Sequence, residues 1–291
     1  MGSLYKRRFV RDRSASTNNR GPGMLKQRII TALIMAPIAI ACTFFLPLAG
    51  FSIFLICLLV VAAWEWANFA GLEGWQRLLY AAVLGVVTFA GGYLPPLWVL
   101  IPGMLWWCVA LVLVIRYPRS GDLWARPWQQ ALIGVVVLVP GYVGLRLLKQ
   151  SVDGDLLILL LFFLVWGADV GAYFSGRRWG RAKLAPEVSP GKSWAGFYGG
   201  LVLAMLIAVG MSAYLGRLDV GSFDGLLFVL GCGLVVMFSV LGDLVESMFK
   251  RQRGIKDSSQ LLPGHGGFLD RLDSLLAASP SFALLVLLVG G

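Results

Sequence analysis

LLFVLGCGLVVMFSVLGDLVESMFKRQRGIKDSSQLLPGHGGFLDRLD, residues 226–273, joins an apolar run long enough to cross a bilayer to a polar run that no lipid-facing segment can carry. Between Ser247 and Asp273 stand Lys250, Arg251, Arg253, Lys256 and Arg271 beside Asp257, Asp270 and Asp273, with the chain's single histidine, His265, in a Pro-Gly-His-Gly-Gly turn. A further apolar run begins at residue 274. Apolar spans alternating with short charged connections define a polytopic membrane protein, and the pattern holds along the rest of the chain.

Composition agrees. The 291 residues are 58% hydrophobic and 14% charged, where an ordinary soluble domain is about a quarter charged. The formal charge of +10 is dispersed between apolar spans, so it offers no soluble basic face for a nucleic acid. Cys42, Cys57, Cys108 and Cys232 all lie in apolar runs without metal-ligand or CxxC spacing, and read as small core residues.

Spans of about 20 apolar residues predict an all-α protein of about nine transmembrane helices, near 29–46, 51–70, 78–93, 97–115, 131–148, 156–174, 197–215, 226–246 and 274–290. Pro140 is expected to interrupt the fifth. Residues 1–23 are basic and Ser/Asn-rich without hydrophobic periodicity; they read as a disordered leader or expression extension, with no cleaved signal peptide. The remainder divides into N-terminal membrane helices, 24–155, and a chemistry-bearing part, 156–291, with polar loops 175–196 and 247–273.

A cytoplasmic N-terminus assigns the segments 1–28, 71–77, 116–130, 175–196 and 247–273 to the cytoplasm. These hold 22 of the 25 Lys and Arg residues. Arg146, Lys149 and Arg217 fall in or beside the opposite loops, with Asp153, Asp155, Asp219 and Asp224. This bias follows the positive-inside rule and survives removal of the leader. Both long polar loops then face the compartment that holds nucleotides.

The candidate chemistry lies at that boundary. Asp243, Glu246 and Lys250 are spaced i, i+3 and i+7, on one helix face. Asp270 and Asp273 are again i, i+3, at the start of the last span. Either pair could be explained blandly, the first by ion pairing to Lys250 or Arg251, the second by helix capping. Together, Asp243, Asp270 and Asp273 form an oxygen-ligand set suited to Mg2+, with Mn2+ an alternative. Asp169 sits within an apolar helix and is a functional candidate or a buried hydrogen-bonding group. The loop after it carries Arg177, Arg178, Arg181, Lys183 and Lys192, which are phosphate ligands or topology determinants. Ser189-Pro190-Gly191-Lys192-Ser193 is no P-loop, because the GxxxxGK[ST] spacing and a preceding strand are missing. Glu65, between Trp64 and Trp66, reads as a packing or hydrogen-bonding group.

The run Ser247, Lys250-Arg251, Lys256-Asp257, His265-Gly266-Gly267, Asp270-Arg271-x-Asp273 closely resembles the C-terminal signature of the phosphatidate cytidylyltransferases (CDP-diacylglycerol synthases). Ala168–Gly176 and Ser189–Ser193, followed by Gly196 and Gly199-Gly200, are similar to two further blocks of that family. Ala195 stands where many relatives have Glu, so no role is assigned there. The resemblance implies transfer of a cytidylyl group from CTP to phosphatidate at the cytoplasmic boundary of a bacterial inner membrane, among membrane lipids and without nucleic acid. Residues and resemblance together assign catalytic roles to Asp243, Asp270, Asp273, Lys250, Lys256 and His265. Substrate contacts are assigned to Lys192, Ser189, Ser193, Arg251, Asp257, Gly266, Gly267, Arg271 and Asp169, and metal binding to Asp243, Asp270, Asp273 and Glu246. His265 is expected to position the loop or donate a hydrogen bond, since an ionised phosphate monoester needs no general base. The two glycines are expected to bring backbone N–H groups to phosphate oxygens.

Two other readings stay open on sequence alone: another lipid phosphate as acceptor at the same CTP site, and an ion-coupled transporter using Asp169, Asp243 and Glu246. The latter is disfavoured by charge gathered at one face and by the lack of a repeated broken-helix pair. The D-G-x-x-A-R pattern of the CDP-alcohol phosphotransferases is absent. Oligomeric state is open, a homodimer included.

Overall fold

A chain segment in hydrocarbon has no water for its N–H and C=O groups, so helices that satisfy them internally are the expected form of each apolar run. The computed structural model describes residues 22–215, 222–262 and 266–289 and contains nine α-helices among them. They are α1 Pro22–Phe45, α2 Leu48–Phe69, α3 Trp75–Gly91, α4 Pro96–Arg116, α5 Pro127–Gln150, α6 Gly154–Trp179, α7 Trp194–Leu215, α8 Phe223–Arg253 and α9 Asp273–Val289. Six of them, α2 and α4 to α8, are long and apolar enough to cross a membrane. Short 3-10 turns cover Gly121–Trp124 and Leu269–Arg271.

Several local expectations change. The leader is predicted to end at Gly23, but helix starts at Pro22, where a proline lacks only an N–H that the first turn leaves unpaired anyway. Its preceding residues lie outside the described ones. Pro140 sits inside a continuous α5: its ring packs where a Cβ on Gly103 would lie 2.6 Å away, and Ser279 Oγ from α9 donates to Gly141 O at 3.0 Å. The small Gly103 face of α4 thus makes room for the proline ring, and α5 continues through it. The α8 helix runs past its expected end at 246 to Arg253 and stops at Gly254, whose φ of 75° is the left-handed conformation of a helix C-cap. The loop expected at 175–196 is partly helix and partly a two-stranded antiparallel hairpin, β1 Lys183–Ala185 and β2 Ser189–Ser193.

Close helix packing rests on small residues. A Cβ on Gly171 of α6 would come within 2.5 Å of Gly199 O on α7, and one on Gly200 within 2.5 Å of Ala168 O. The Gly199-Gly200 pair therefore serves backbone approach, as its sequence suggests. At one end of the bundle the polar connections meet: Arg251 Nε donates to Val188 O (3.2 Å), Asn68 Nδ2 to Ser258 O (3.3 Å), and Gly121 abuts Gln252. At the other end Arg146 caps Gly92 O (2.8 Å), and Lys149 binds Thr43 O and Asp155. The cation-rich loops thus converge on the end where α8 exits.

Gly200→Val is expected to push α6 and α7 apart and to cost about 1–3 kcal/mol of overpacking, read as a lower thermal unfolding midpoint in detergent.

Candidate active site

The site is assembled from the C-terminal turns of α8, the loop 254–272 that follows, the start of α9 and strand β2. Helical spacing carries Asp243, Glu246 and Lys250 along one side of α8, and the loop folds back to bring Asp270 against them. Lys250 Nζ lies 2.6 Å from Asp270 Oδ1 and 3.3 Å from Glu246 Oε2. The Lys250 and Asp270 side chains are 12% and 6% exposed, so this is a buried ion pair. Lys192, at the end of β2, places Nζ 2.7 Å from Asp243 Oδ2, while Ser247 Oγ donates to Asp243 Oδ1 at 3.2 Å. Two lysines from distant segments therefore neutralise two of the four carboxylates.

Asp270 is the most densely coordinated acid. Its Oδ2 accepts from Gly267 N (2.8 Å), Ser258 N (3.1 Å) and Ser258 Oγ (3.2 Å). Burial alone pushes its carboxyl up, but contact with the Glu246 carboxyl, the Lys250 ammonium and the Gly267 N–H outweighs this and holds it below the ordinary carboxylate range. Asp273 opens α9 and accepts from the N–H of the next residue, Ser274, at 2.6 Å, one position short of the N2 or N3 donor that a helix cap takes. Glu246 is 2% exposed, and no hydrogen-bond donor reaches either oxygen at ordinary geometry. A buried carboxylate beside Asp270 and Asp273, whose one neighbouring cation among the described residues, Lys250 at 3.3 Å, is already paired with Asp270, calls for a further cation or a proton. Carboxylate oxygen is the donor type that a hard divalent ion takes, but among the described residues no group of three such side chains is arranged to hold one.

The glycines act differently from their expected role. Gly266 has φ 84°, and a Cβ there would lie 3.0 Å from Asp270 Oδ2 and from Asp257 Cβ. A Cβ on Gly267 would sit 1.8 Å from Ser258 Oγ. Both are required for the loop to close on itself, and the Gly267 N–H is taken by Asp270. The reason is local: a carboxylate three residues on is a nearer acceptor than any phosphate.

Of the other assigned residues, Arg251 anchors the hairpin through Val188 O, and Ser193 is buried, its Oγ accepting from Gly196 N (3.2 Å) at the start of α7. Both act on the frame of the site. Ser189 begins β2 opposite Ala185, and Lys256 and Asp257 are exposed on the loop. Asp169 has Lys192, Asp243 and Arg271 as its charged neighbours. His265 lies outside the described residues. One residue gains a larger place than its sequence setting gives it: Glu65 of α2 is fully buried under the loop, accepting from Phe268 N (2.9 Å) and Leu269 N (2.6 Å). Its position between two tryptophans is the only sequence hint.

A cavity of about 390 Å³ opens beside this cluster. Its walls are apolar side chains of α1, α2, α5 and α6, among them Ala39, Phe51, Leu55 and Phe162. Its polar end is formed by Asp169, Asp270, Arg271 and Asp273.

Fold and site define a helical membrane protein with a charged, phosphate-compatible centre at one end of its bundle. The sequence matches the cytidylyltransferase family over residues 26–289. It is 50% identical to a phosphatidate cytidylyltransferase of Pseudomonas aeruginosa, over 92% of this chain and 98% of that one. Identity is 42% to the enzyme of that name from Haemophilus influenzae (89% and 98% covered) and 36% to that from Brucella suis (88% and 90%). The chain belongs to the cytidylyltransferase family, and it is a nucleotidyltransferase.

Removing one partner of a buried ion pair strands the other, at a typical cost of about 3–5 kcal/mol. Lys250→Ala is expected to fall in this range in a denaturant titration, and the combined Lys250→Met, Asp270→Leu replacement to recover most of it. Because the folded Asp270 pKa lies below that of an unfolded Asp, near 4, its contribution is complete above that pH and is lost as pH falls through the folded value. Below about pH 4 the wild type should therefore lose stability more steeply than Asp270→Asn.

Proposed function

We propose that this protein transfers the cytidylyl group of CTP to phosphatidate, forming CDP-diacylglycerol and pyrophosphate. A phosphatidate oxygen attacks the α-phosphorus of CTP, and the bond from that phosphorus to the bridging oxygen of pyrophosphate breaks. The observation that carries this reading is the amphiphilic cavity. A slot with apolar walls and a charged mouth suits a substrate with acyl chains and a phosphate head, and its mouth adjoins the Lys192, Lys250 and carboxylate cluster where a second, water-soluble anion can meet it.

Each residue has a distinct task. Lys192 and Lys250 are held at the site by Asp243 and Asp270, and phosphate oxygens offer them the same charge-assisted hydrogen bonds. Arg271, at the cavity mouth, is suited to the phosphatidate head group, and the exposed Lys256 to the triphosphate. Asp243, Glu246, Asp270 and Asp273 would hold Mg2+ or Mn2+, which when bound neutralises the triphosphate and stabilises charge in the transition state. Asp169 adds negative charge at the mouth and steadies Lys192 or Arg271. Gly266 and Gly267 permit the tight loop, and the exposed Asp257 is suited to a polar contact with the nucleotide. Apolar walls exclude water from the acyl end and so favour lipid phosphate over water as acceptor.

All nine helices would cross or enter the bilayer with the N-terminus in the cytoplasm and the site facing it, in a bacterial inner membrane. Supporting this orientation, the cation-rich connections gather at the site end, whereas Arg146 and Lys149 lie at the opposite end beside Asp155.

Purified protein in detergent, given phosphatidate, labelled CTP and Mg2+, is expected to move label into the lipid phase; no lipid-phase label from folded wild type overturns the reading. Asp243→Asn and Asp270→Asn should each lower this transfer by at least about a hundredfold while the protein stays folded. Ala39→Trp, which fills the cavity, should raise the KM for long-chain phosphatidate and leave that for CTP unchanged.

A further inference from the structure

Among the described residues the four N-terminal helices α1–α4 contribute no ion pair to the carboxylate cluster, yet one acid from them reaches into the loop that builds it. Glu65 lies near the end of α2, fully buried. Its Oε1 accepts from Ser259 Oγ and from Phe268 N at 2.9 Å; its Oε2 accepts from Ser258 Oγ at 3.0 Å and from Leu269 N at 2.6 Å. Every donor comes from loop 254–272, and the most distant is 204 residues along the chain. A buried carboxylate with four donors and no ammonium in contact does not resemble a salt bridge. It resembles an anion held in a nest of N–H and O–H groups, with the anion supplied by the protein itself.

The nest is joined directly to the site. The one Ser258 hydroxyl proton lies between Glu65 Oε2 (3.0 Å) and Asp270 Oδ2 (3.2 Å), Ser258 N donates to Asp270 Oδ2, and Gly267, whose Cβ position lies 2.9 Å from Glu65 Oε2, donates its N–H to the same oxygen. Glu65, Ser258, Asp270 and Lys250 thus form one continuous chain of contacts. The α2 end of that chain cannot yield easily. Trp66 Nε1 donates to Gln130 O at 2.8 Å, and the Trp66, Phe69 and Trp124 rings pack against Phe249 with centroids 5.0, 6.0 and 4.5 Å away. Asn68, one turn after Glu65, adds its bond to Ser258 O.

We propose that Glu65 is the positioning residue of the catalytic loop, holding Ser258 and residues 267–269 so that Asp270 faces Lys250 in the geometry that transfer requires. It touches no substrate. A glutamine is nearly isosteric yet cannot replace it, because a single amide oxygen remains and the NH2 group is turned toward a donor; a serine hydroxyl can reverse, but the Leu269 N–H cannot. The proposal rests on the transfer reaction above for its kinetic readout, and on loop order alone for a second one.

The test compares wild type, Glu65→Gln, and a Ser258→Ala, Ser259→Ala double variant that removes two of the four donors without burying a new polar group. Turnover per folded molecule is expected to fall by about a hundredfold, the scale of a small misplacement of reacting groups, with the KM for phosphatidate within threefold of wild type. Trypsin cleavage after Lys256 should accelerate at least tenfold while the thermal unfolding midpoint of the bundle moves by only a few degrees. Glu65→Gln with turnover per folded molecule within threefold of wild type and unchanged cleavage after Lys256 overturns the proposal, as does a loss of turnover that merely tracks the fraction unfolded. If Glu65→Gln does not fold, the serine variant decides by the same two readouts. If wild type itself transfers no label, the functional reading fails separately, and the cleavage rates alone decide the role of Glu65.

Discussion

Lys250 and Asp270 meet at 2.6 Å in a setting that exposes almost none of either side chain. Four carboxylates at the end of an apolar bundle cannot be left bare, since each buried charge without a partner costs several kcal/mol. The ion pair meets this constraint and in doing so fixes where the loop ends: residues 266–272 lie against α8 because Asp270 must reach Lys250. The Lys192–Asp243 pair does the same for the β-hairpin, drawing it over the same end of the bundle. Glu246, sealed beside them with only the shared Lys250 at 3.3 Å, is the acid that leaves the cluster in need of a further cation or proton.

A loop rich in glycine and serine has little apolar surface with which to fix itself. Its order comes from elsewhere in the chain, through the Glu65 carboxylate and through the aromatic group of Trp66, Phe69, Trp124 and Phe249, which fastens α2 to α8. The N-terminal helices are thus more than a membrane anchor. They furnish the fixed surface against which the charged loop is shaped, together with α1 and α2 walls of the cavity.

Much of this was legible beforehand. Asp243, Glu246 and Lys250 share a side of α8 because helical spacing requires it, and apolar length alone located the nine helices of the described residues, although α1 starts before and α8 ends after its apolar run, where the sequence turns polar. The hairpin was not legible, since KLA and SPGKS are too short for alternation to register and carry a proline and a glycine. Nor was the inward turn of Ser193, or the use of the Gly267 N–H by Asp270, because both depend on which acceptor lies nearest after folding. Pro140 misled for a similar reason: a proline breaks an isolated helix, but Gly103 on a neighbouring helix leaves room for this one.

The sequence by itself determined that the chain is a helical membrane protein, that its cations gather in alternate loops, and that a cluster of acids and lysines sits where α8 leaves the apolar layer. These properties follow from hydropathy, charge count and helical period, all of which are local. Only the tertiary structure decided which acids pair with which lysines, and that Glu65 belongs to the loop and not to the bundle. The partners in those contacts lie from 20 to more than 200 residues apart, and a hydrogen bond is specified by position in space, for which sequence distance is no guide.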